Sequence, residues 1–575
     1  MRNKGKEIIK ITCTAFIVIV FFSLMAGCTR EQVKVETPSN QTNQSSFDLY
    51  YHYSLGVQLK INNDLDGAIR EYEKAILLDP FSEVLTKELA ELYFDKDDFS
   101  KAIVLCQNFL KENKNNVEIQ LILGELYFNT RDYKNAVTTY QSVLELDRKN
   151  TTAYFYLGST YAEAKRYDLA AISLRKMIAL DPENLMGNYY LARVLKIQKK
   201  YTEAEATLKK VISLHPGFDA PWIDLCEIYE LQDNVNQAIA AYRDYLNIFP
   251  DKLTIRVRLG ELLMLLKQDE EAEKEFLTVL KLDSANREAR HILGILYLGQ
   301  EKHNHAAEQF LNILQNTPAD MRAVFFLATV YEGQGHMDDA LKEYRRIPPA
   351  ATSFFSQSQV RIAMILHKKG DTDEAKQIIR QAIQTDQNVA YFYSILAHFY
   401  EEGKNYPLAE AVLKDGLVAV TEKEDLHYQL GTLFSKTERV DESLQEMKKI
   451  LKENPNHADA LNFIGYTYAE MGKNLDEAEK IVKKALLLQP ESGYIMDSLG
   501  WIYFKQNRFN EAVKYLQKAV KITPDAIISE HLGDAYRALG LMQEAMEAYK
   551  QALELDPSVE AVKIKMEEIS QQLPP

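Results

Sequence analysis

A pattern of 34 residues recurs from Leu49 almost to the end of the chain, and few folds can satisfy it. In each block a small residue stands at position 8, an aromatic residue or leucine at position 11, alanine at position 20 and a large apolar residue at position 24. The third block shows the pattern as Gly124, Tyr127, Ala136 and Tyr140. Because a unit of this length cannot bury its apolar residues alone, neighbouring units must stack against one another.

Fifteen such blocks cover residues 49–559 without a gap. Apolar residues recur at helical spacing on both sides of a short polar turn such as Arg131-Asp132, so each block is predicted to form two amphipathic helices. Small residues at positions 8 and 20 let the two helices approach closely, and proline at position 32 ends the second helix because it lacks the N–H that the next hydrogen bond needs. The predicted blocks begin at residues 49, 83, 117, 151, 185, 219, 253, 287, 321, 356, 390, 424, 458, 493 and 526.

The pattern resembles the signature of tetratricopeptide repeats (TPR). The resemblance implies an all-α fold, a right-handed superhelical solenoid of about fifteen helix-turn-helix repeats with a C-terminal capping helix. Residues 560–575 are predicted to form that capping helix and a short tail, because their apolar and charged positions are mixed and no partner helix follows.

The first 48 residues are predicted to direct export and attachment rather than to fold. Four basic residues within the first ten precede an apolar run from Ile11 to Met25, which is short for a membrane-spanning helix. The run ends in Ala26-Gly27-Cys28, which resembles the lipobox of bacterial lipoproteins. The resemblance implies a signal peptide over 1–27, a lipidated Cys28 and, over 28–48, a flexible polar tether. An uncleaved amino-terminal anchor is the alternative.

The resemblance also favours a destination. By similarity to enteric lipoproteins, Thr29 in place of aspartate after the cysteine favours sorting to the outer membrane, at its periplasmic face. Two or more acyl chains would give stable membrane attachment.

Composition and motifs argue against several classes of function. The formal net charge is −15, which would repel nucleic acid. The sequence contains no metalloprotease, hydrolase or phosphate-loop motif, and the repeats leave no segment for a catalytic domain. Cys106 and Cys226 fall at buried positions of the repeat, and His303 and His305 lack further metal ligands nearby. We therefore predict no enzyme activity, no cofactor or metal and no small-molecule substrate.

Large residues on the groove face point instead to protein binding. In TPR arrays, positions 2, 5, 9 and 12 of the first helix face the groove, and aromatic residues there suit a peptide or protein segment because they supply a large contact area at low entropic cost. The densest group lies in blocks 13 and 14. The predicted groove residues are Tyr53, Phe94, Phe128, Phe155, Tyr189, Phe325, Tyr391, Tyr428, Asn462, Tyr466, Tyr494, Asp497, Trp501 and Phe504. The alternative is that a tightly wound superhelix buries these side chains against itself.

Residues 460–519 carry a closer resemblance, with the segments ALNFIGYTYAE and GYIMDSLGW. They are similar to the carboxy-terminal part of long bacterial TPR lipoproteins, one of which is an outer-membrane adaptor for a carboxyl-terminal processing protease. The resemblance implies a scaffold that brings such a protease together with peptidoglycan hydrolases. The alternative function is an assembly or export component of exopolysaccharide or secretion machinery, and a third is a surface structural protein without a dedicated partner. Genomic neighbourhood would separate the first two.

Overall fold

The computed structural model describes residues 40–570, with side chains from residue 45 onwards, and this range contains helices and turns but no β-strand. The predicted signal peptide, the lipidated Cys28 and the first part of the predicted tether lie outside the described residues. The chain divides into two compact units, which meet in sequence between Pro250 and Asp251. Each unit is a solenoid of helix pairs, which confirms the predicted fold class.

Unit 1 contains six helix pairs over residues 40–250. Their bounds are α1 Asn40–Ile61 and α2 Leu65–Leu78, α3 Glu83–Asp95 and α4 Phe99–Glu112, α5 Val117–Asn129 and α6 Tyr133–Leu146, α7 Thr151–Glu163 and α8 Tyr167–Leu180, α9 Leu185–Ile197 and α10 Tyr201–Leu214, and α11 Asp219–Leu231 and α12 Val235–Ile248.

Unit 2 contains nine helix pairs and a final helix over residues 251–570. Their bounds are α13 Leu253–Leu265 and α14 Asp269–Leu282, α15 Arg287–Gly299 and α16 His303–Asn316, α17 Met321–Gly333 and α18 Met337–Tyr344, a 3-10 turn Pro349–Ala351, α19 Thr352–Lys368 and α20 Thr372–Thr385, α21 Ala390–Glu402 and α22 Tyr406–Ala419, α23 Glu424–Lys436 and α24 Val440–Glu453, α25 Ala458–Glu470 and α26 Leu475–Leu488, α27 Gly493–Lys505 and α28 Phe509–Ile522, α29 Ala526–Ala538 and α30 Met542–Leu555, and α31 Glu560–Ser570.

The first helix of each pair begins at the predicted block start in all pairs except those that begin with α1 and α19. Helix α1 begins at Asn40, so the part of the predicted tether from residue 40 to residue 48 is helical rather than flexible. Pro38 is the last helix-breaking residue before this point, and nothing between it and Leu49 interrupts a helix. Helix α19 begins early, at Thr352, directly after the 3-10 turn.

The two helices of a pair pack closely because the small residue at position 8 faces a large residue of the second helix. At Gly124, an added Cβ would lie 2.4 Å from Cε1 of Tyr140, whose side chain is fully buried. The turn between the helices passes through a left-handed residue, Arg131 at φ 62°, after which Asp132 accepts a hydrogen bond from the backbone N–H of Asn135. This capping bond starts the second helix.

Helix α31 closes the carboxyl end of unit 2, as predicted for a capping helix. Its Val562 and Ile569 are fully buried in a cluster with Tyr549 and two alanines of α30. Within residues 40–570, no helix combines the length and the apolar character that crossing a lipid bilayer requires.

Candidate functional site

The predicted groove residues lie on the first helices of their pairs, but they differ widely in exposure. Tyr391 and Tyr494 are exposed, at 58% and 57%. Four others are buried: Tyr189, Phe325, Asp497 and Trp501. The remainder are half-buried: Tyr53, Phe94, Phe128, Phe155, Tyr428, Asn462, Tyr466 and Phe504.

Trp501, a member of the densest predicted group, is only 7% exposed. Its ring stacks on Phe504 at 4.7 Å between centroids and on His531 at 3.9 Å, and its indole N–H donates to the Glu470 carboxylate. Glu470 belongs to the preceding pair and His531 to the following one, so adjacent repeats enclose this side chain. This placement corrects the prediction of an open anchor, because the indole already has its partners.

Asp497 is also engaged inside the protein. Its carboxylate lies 2.8 Å from Nδ1 of His531, and both side chains are buried. Tyr466 lies beside the same imidazole, with 6.4 Å between ring centroids, and burial raises the pKa of its phenol above the usual value. The predicted cluster of blocks 13 and 14 is therefore mostly a packed stack, and Tyr494 is the member that remains exposed.

A cavity of about 830 Å³ opens instead around Tyr391, in unit 2. It lies beside the irregular pair, where α18 is 8 residues long and the paired Pro348 and Pro349 prevent its continuation. The long helix α19 forms most of its wall. The residues that line it are Glu332, Met337, Ser356, Gln357, Val360, Arg361, Met364, Ile365, His367, Lys368, Val389, Tyr391 and Phe392.

Most of the wall of this cavity is apolar, and two of its basic side chains contact carboxylates. Met364 is 40% exposed in the wall. Arg361 Nη1 lies 3.3 Å from Oε1 of Glu332, and the imidazole of His367 pairs with the carboxylate of Glu402. Such a site can hold a large apolar side chain of a bound segment.

Sequence reasoning found Tyr391 but missed Val360 and Met364. Counted from the block start at residue 356, these two residues occupy positions 5 and 9, which are groove positions. The positional signal was therefore present, although the predicted groove residues include none from this block.

Three predicted groove residues of unit 1 also line cavities. Phe128 and Phe155 line one of about 360 Å³, and Tyr53 lines another of about 340 Å³. Phe94 packs edge-on against Phe99 of the same pair, with 5.4 Å between ring centroids.

The other predicted residues contact neighbouring aromatic rings. Tyr189 lies 4.9 Å from Phe218, Phe325 lies 5.5 Å from Tyr344, and Tyr428 stacks on His457 at 6.1 Å, all measured between centroids. These contacts leave Tyr189 and Phe325 little surface for a partner.

Within residues 40–570, no group of three His, Cys, Asp or Glu side chains is arranged to hold a metal ion. Cys106 and Cys226 are free thiols in the core. Burial raises the pKa of the Cys106 thiol to about 12, so this group stays protonated and unreactive at neutral pH.

Relatives of this chain match only parts of it. It is 30% identical over 196 residues to the TPR repeat-containing protein PA4667 of Pseudomonas aeruginosa, a match that covers 34% of this chain and 33% of that protein. It is 22% identical over 226 residues to anaphase-promoting complex subunit 7 of Arabidopsis thaliana, covering 38% of this chain and 39% of that protein. The chain therefore spans well under half the length of each of these relatives.

Solved structures that match the chain include Naa15/Naa10 bound to HypK-THB, with 15% identity and a TM-score of 0.38 over 93% of this chain and 90% of that one. They also include yeast Tom70, with 16% identity and a TM-score of 0.36 over 79% of this chain and 96% of that one.

Family models match at many places along the chain. A model of anaphase-promoting complex, cyclosome, subunit 3 matches residues 129–211. Models of the tetratricopeptide repeat match residues 94–158, 195–251, 253–286, 293–353, 356–389, 456–525 and 498–560. Because the tetratricopeptide matches fall on the helix pairs described above and together span more than half of the chain, this chain belongs to the tetratricopeptide repeat proteins.

Proposed function

We propose that this protein is a lipid-anchored scaffold that holds a segment of a partner protein in the cavity around Tyr391. The observation that carries the proposal is the pairing of an exposed aromatic ring with an apolar cavity of about 830 Å³ on the groove positions of α19 and α21. Exposed aromatic residues next to apolar pockets are the usual anchors of protein interfaces. Tetratricopeptide repeats provide the rigid surface that such a site needs.

The finer proposal is an adaptor at the periplasmic face of the outer membrane. It would bring a processing protease together with peptidoglycan hydrolases, raising the effective concentration of one near the other. The similarity of residues 460–519 to long bacterial TPR lipoproteins supports this role, and the lipobox-like Ala26-Gly27-Cys28 supports the location.

The docking site is tested by affinity capture from detergent-solubilised envelopes with the full chain as bait. We expect Tyr391→Ala combined with Met364→Ala to lower recovery of the bound partner about thirtyfold, because loss of a buried anchor costs about 2 kcal/mol. The matched control is Tyr494→Ala, which removes an equally exposed tyrosine that does not line this cavity. Quantitative mass spectrometry measures recovery.

The identity of the captured proteins then separates the candidate roles. Recovery of a protease or cell-wall hydrolase that depends on Tyr391 supports the adaptor. Recovery of secretion or polysaccharide-export subunits would replace the adaptor by the export role. Equal recovery of every protein by the double variant and the control would contradict the docking site itself.

The lipid anchor is tested with Cys28→Ser in the full chain. We expect loss of a metabolically incorporated alkyne fatty acid and a shift of the protein from the membrane fraction to the soluble fraction, because the acyl chains provide the attachment. Retention at the membrane without any label would instead favour an uncleaved amino-terminal anchor.

A further inference from the structure

We infer that unit 1 carries a second docking site, which selects a partner segment that combines acidic and apolar residues. The site is the cavity of about 360 Å³ between the pairs that contain α7 and α9. The inference rests on the proposed scaffold function, and it adds a second site with a charge preference of its own.

Aromatic side chains form rigid walls on this cavity. Phe155 packs edge-on against Tyr190 with 5.0 Å between ring centroids, and Tyr156 stacks on the buried Tyr140 at 5.6 Å with nearly parallel planes. Phe128 and the half-exposed Ile197 complete the apolar lining. Because neighbouring rings hold these walls in place, an incoming apolar side chain meets a preformed slot.

A polar group in the lining has no partner. Ser159 is only 8% exposed, and its hydroxyl makes no hydrogen bond to any of residues 40–570. The hydroxyl oxygen itself is buried beneath the wall of the cavity, so it offers an occupant no contact.

The rim carries two unpaired cations. Lys165 and Arg193 both line the cavity, both are exposed, and neither has a carboxylate within ion-pair distance among residues 40–570. Arg193 lies over the ring of Tyr189 at 5.9 Å. Glu163 is the acidic residue of the lining, so the rim has a net positive charge.

The surrounding repeats extend this positive surface. Arg166, Lys199 and Lys200 stand on the adjacent turns, all exposed. The nearby Asp168 already accepts a hydrogen bond from the side-chain amide of Gln198 at 2.8 Å. Residues 131–200 contain twelve Lys and Arg against seven Asp and Glu, although the whole chain carries a net charge of −15.

These charges favour an acidic segment as the occupant. Neither Lys165 nor Arg193 has an anion within ion-pair distance among residues 40–570, so both remain available to an acidic partner. Complementary charge steers a partner and suppresses wrong ones. A protein segment fits this site better than a lipid surface does, because a side chain can enter the aromatic slot while a layer of headgroups touches only the outermost residues.

The test measures the binding of two fluorescein-labelled peptides to the full chain in detergent by fluorescence anisotropy. Both peptides contain tryptophan and glycine, and they differ only in carrying either glutamate or glutamine. We expect the glutamate peptide to bind about tenfold more tightly, and its binding to weaken as salt is raised.

Variants locate the binding. Lys165→Glu with Arg193→Glu should reduce binding of the glutamate peptide about tenfold, to the level of the glutamine peptide. Arg148→Glu with Lys149→Glu is the matched control, because it changes the net charge by the same amount at two exposed residues of unit 1 that lie outside the cavity. This control should preserve binding of the glutamate peptide within about twofold. Tyr391→Ala should leave this binding unchanged, which separates the inference from the proposed function.

Three results would overturn the inference. Equal binding of the two peptides would show that the acidic residues of the peptide do not contribute to recognition. An equal loss of peptide binding in the cavity variant and the control variant would show that only the net charge of the protein matters. Binding to phosphatidylglycerol vesicles that is lost in Lys165→Glu/Arg193→Glu, without binding of the glutamate peptide, would assign the surface to lipid headgroups.

Discussion

Replacing Trp501 with alanine is expected to destabilise unit 2 by about 3–5 kcal/mol, the usual cost of removing a large buried aromatic side chain. The change removes a ring stacked between Phe504 and His531. It also leaves the carboxylate of Glu470 without its indole donor. Urea unfolding should show the lower free energy of unfolding. Hydrogen exchange should localise the loss of amide protection to α25, α27 and α29.

Tyr494→Ala provides the control for this prediction. Tyr494 lies on the same helix as Trp501 but is 57% exposed, so its removal should change the free energy of unfolding by less than about 0.5 kcal/mol. If Trp501→Ala left stability unchanged and abolished partner binding, the indole would be a binding anchor and the packed stack would be misassigned.

Replacing Gly465 with leucine is expected to destabilise unit 2 by about 3 kcal/mol, at the upper end for overpacked cores. A Cβ at this position would lie 2.2 Å from Cγ2 of Val482 and 3.3 Å from the carbonyl oxygen of Ala478. Val482 is fully buried and β-branched, so it cannot rotate away without a further clash. Chemical unfolding of the full chain, with hydrogen exchange at α25 and α26, measures the effect.

Gly299→Leu separates this packing effect from helix propensity. Gly299 ends α15, and no heavy atom lies within 4 Å of a Cβ added there. Leucine favours a helix over glycine by about 1 kcal/mol, so this control should be neutral or slightly stabilising. A similar loss of stability in both variants would contradict the close helix contact at Gly465.

The helix pairs could be predicted from the sequence because their signals are local. Gly124 and Tyr140 mark a close contact between two helices that are adjacent in the chain, and the block starts coincide with the observed helix starts in most pairs. The amino-terminal boundary was placed too late, because the polar residues from Asn40 to Ser46 carry no apolar periodicity although they continue into α1.

The exposure of the groove residues could not be predicted in the same way. Tyr391 and Trp501 both occupy groove positions and are both aromatic, yet one is 58% exposed and the other 7%. His531, from the next repeat, covers Trp501, whereas the space beside Tyr391 is left open next to the short α18. Position in the repeat fixes the direction of a side chain, but the size of its neighbours decides whether a partner can reach it.

The sequence also does not show which charged side chains lack an ion-pair partner. Lys165 and Arg193 come from different repeats, and Glu163 and Asp168 stand close to Lys165 in the chain. Only the fold shows that these two cations line one cavity and that the nearby Asp168 already accepts a hydrogen bond from Gln198.

The most direct measurement is photo-crosslinking in intact cells with benzoylphenylalanine in place of Tyr391, compared with the same group in place of Tyr494. The proposed docking site predicts discrete crosslinks from position 391 that map to one short segment of a partner protein, and none of those products from position 494. Identical crosslinks from both positions, or products from position 494 alone, would contradict a docking site in the cavity around Tyr391.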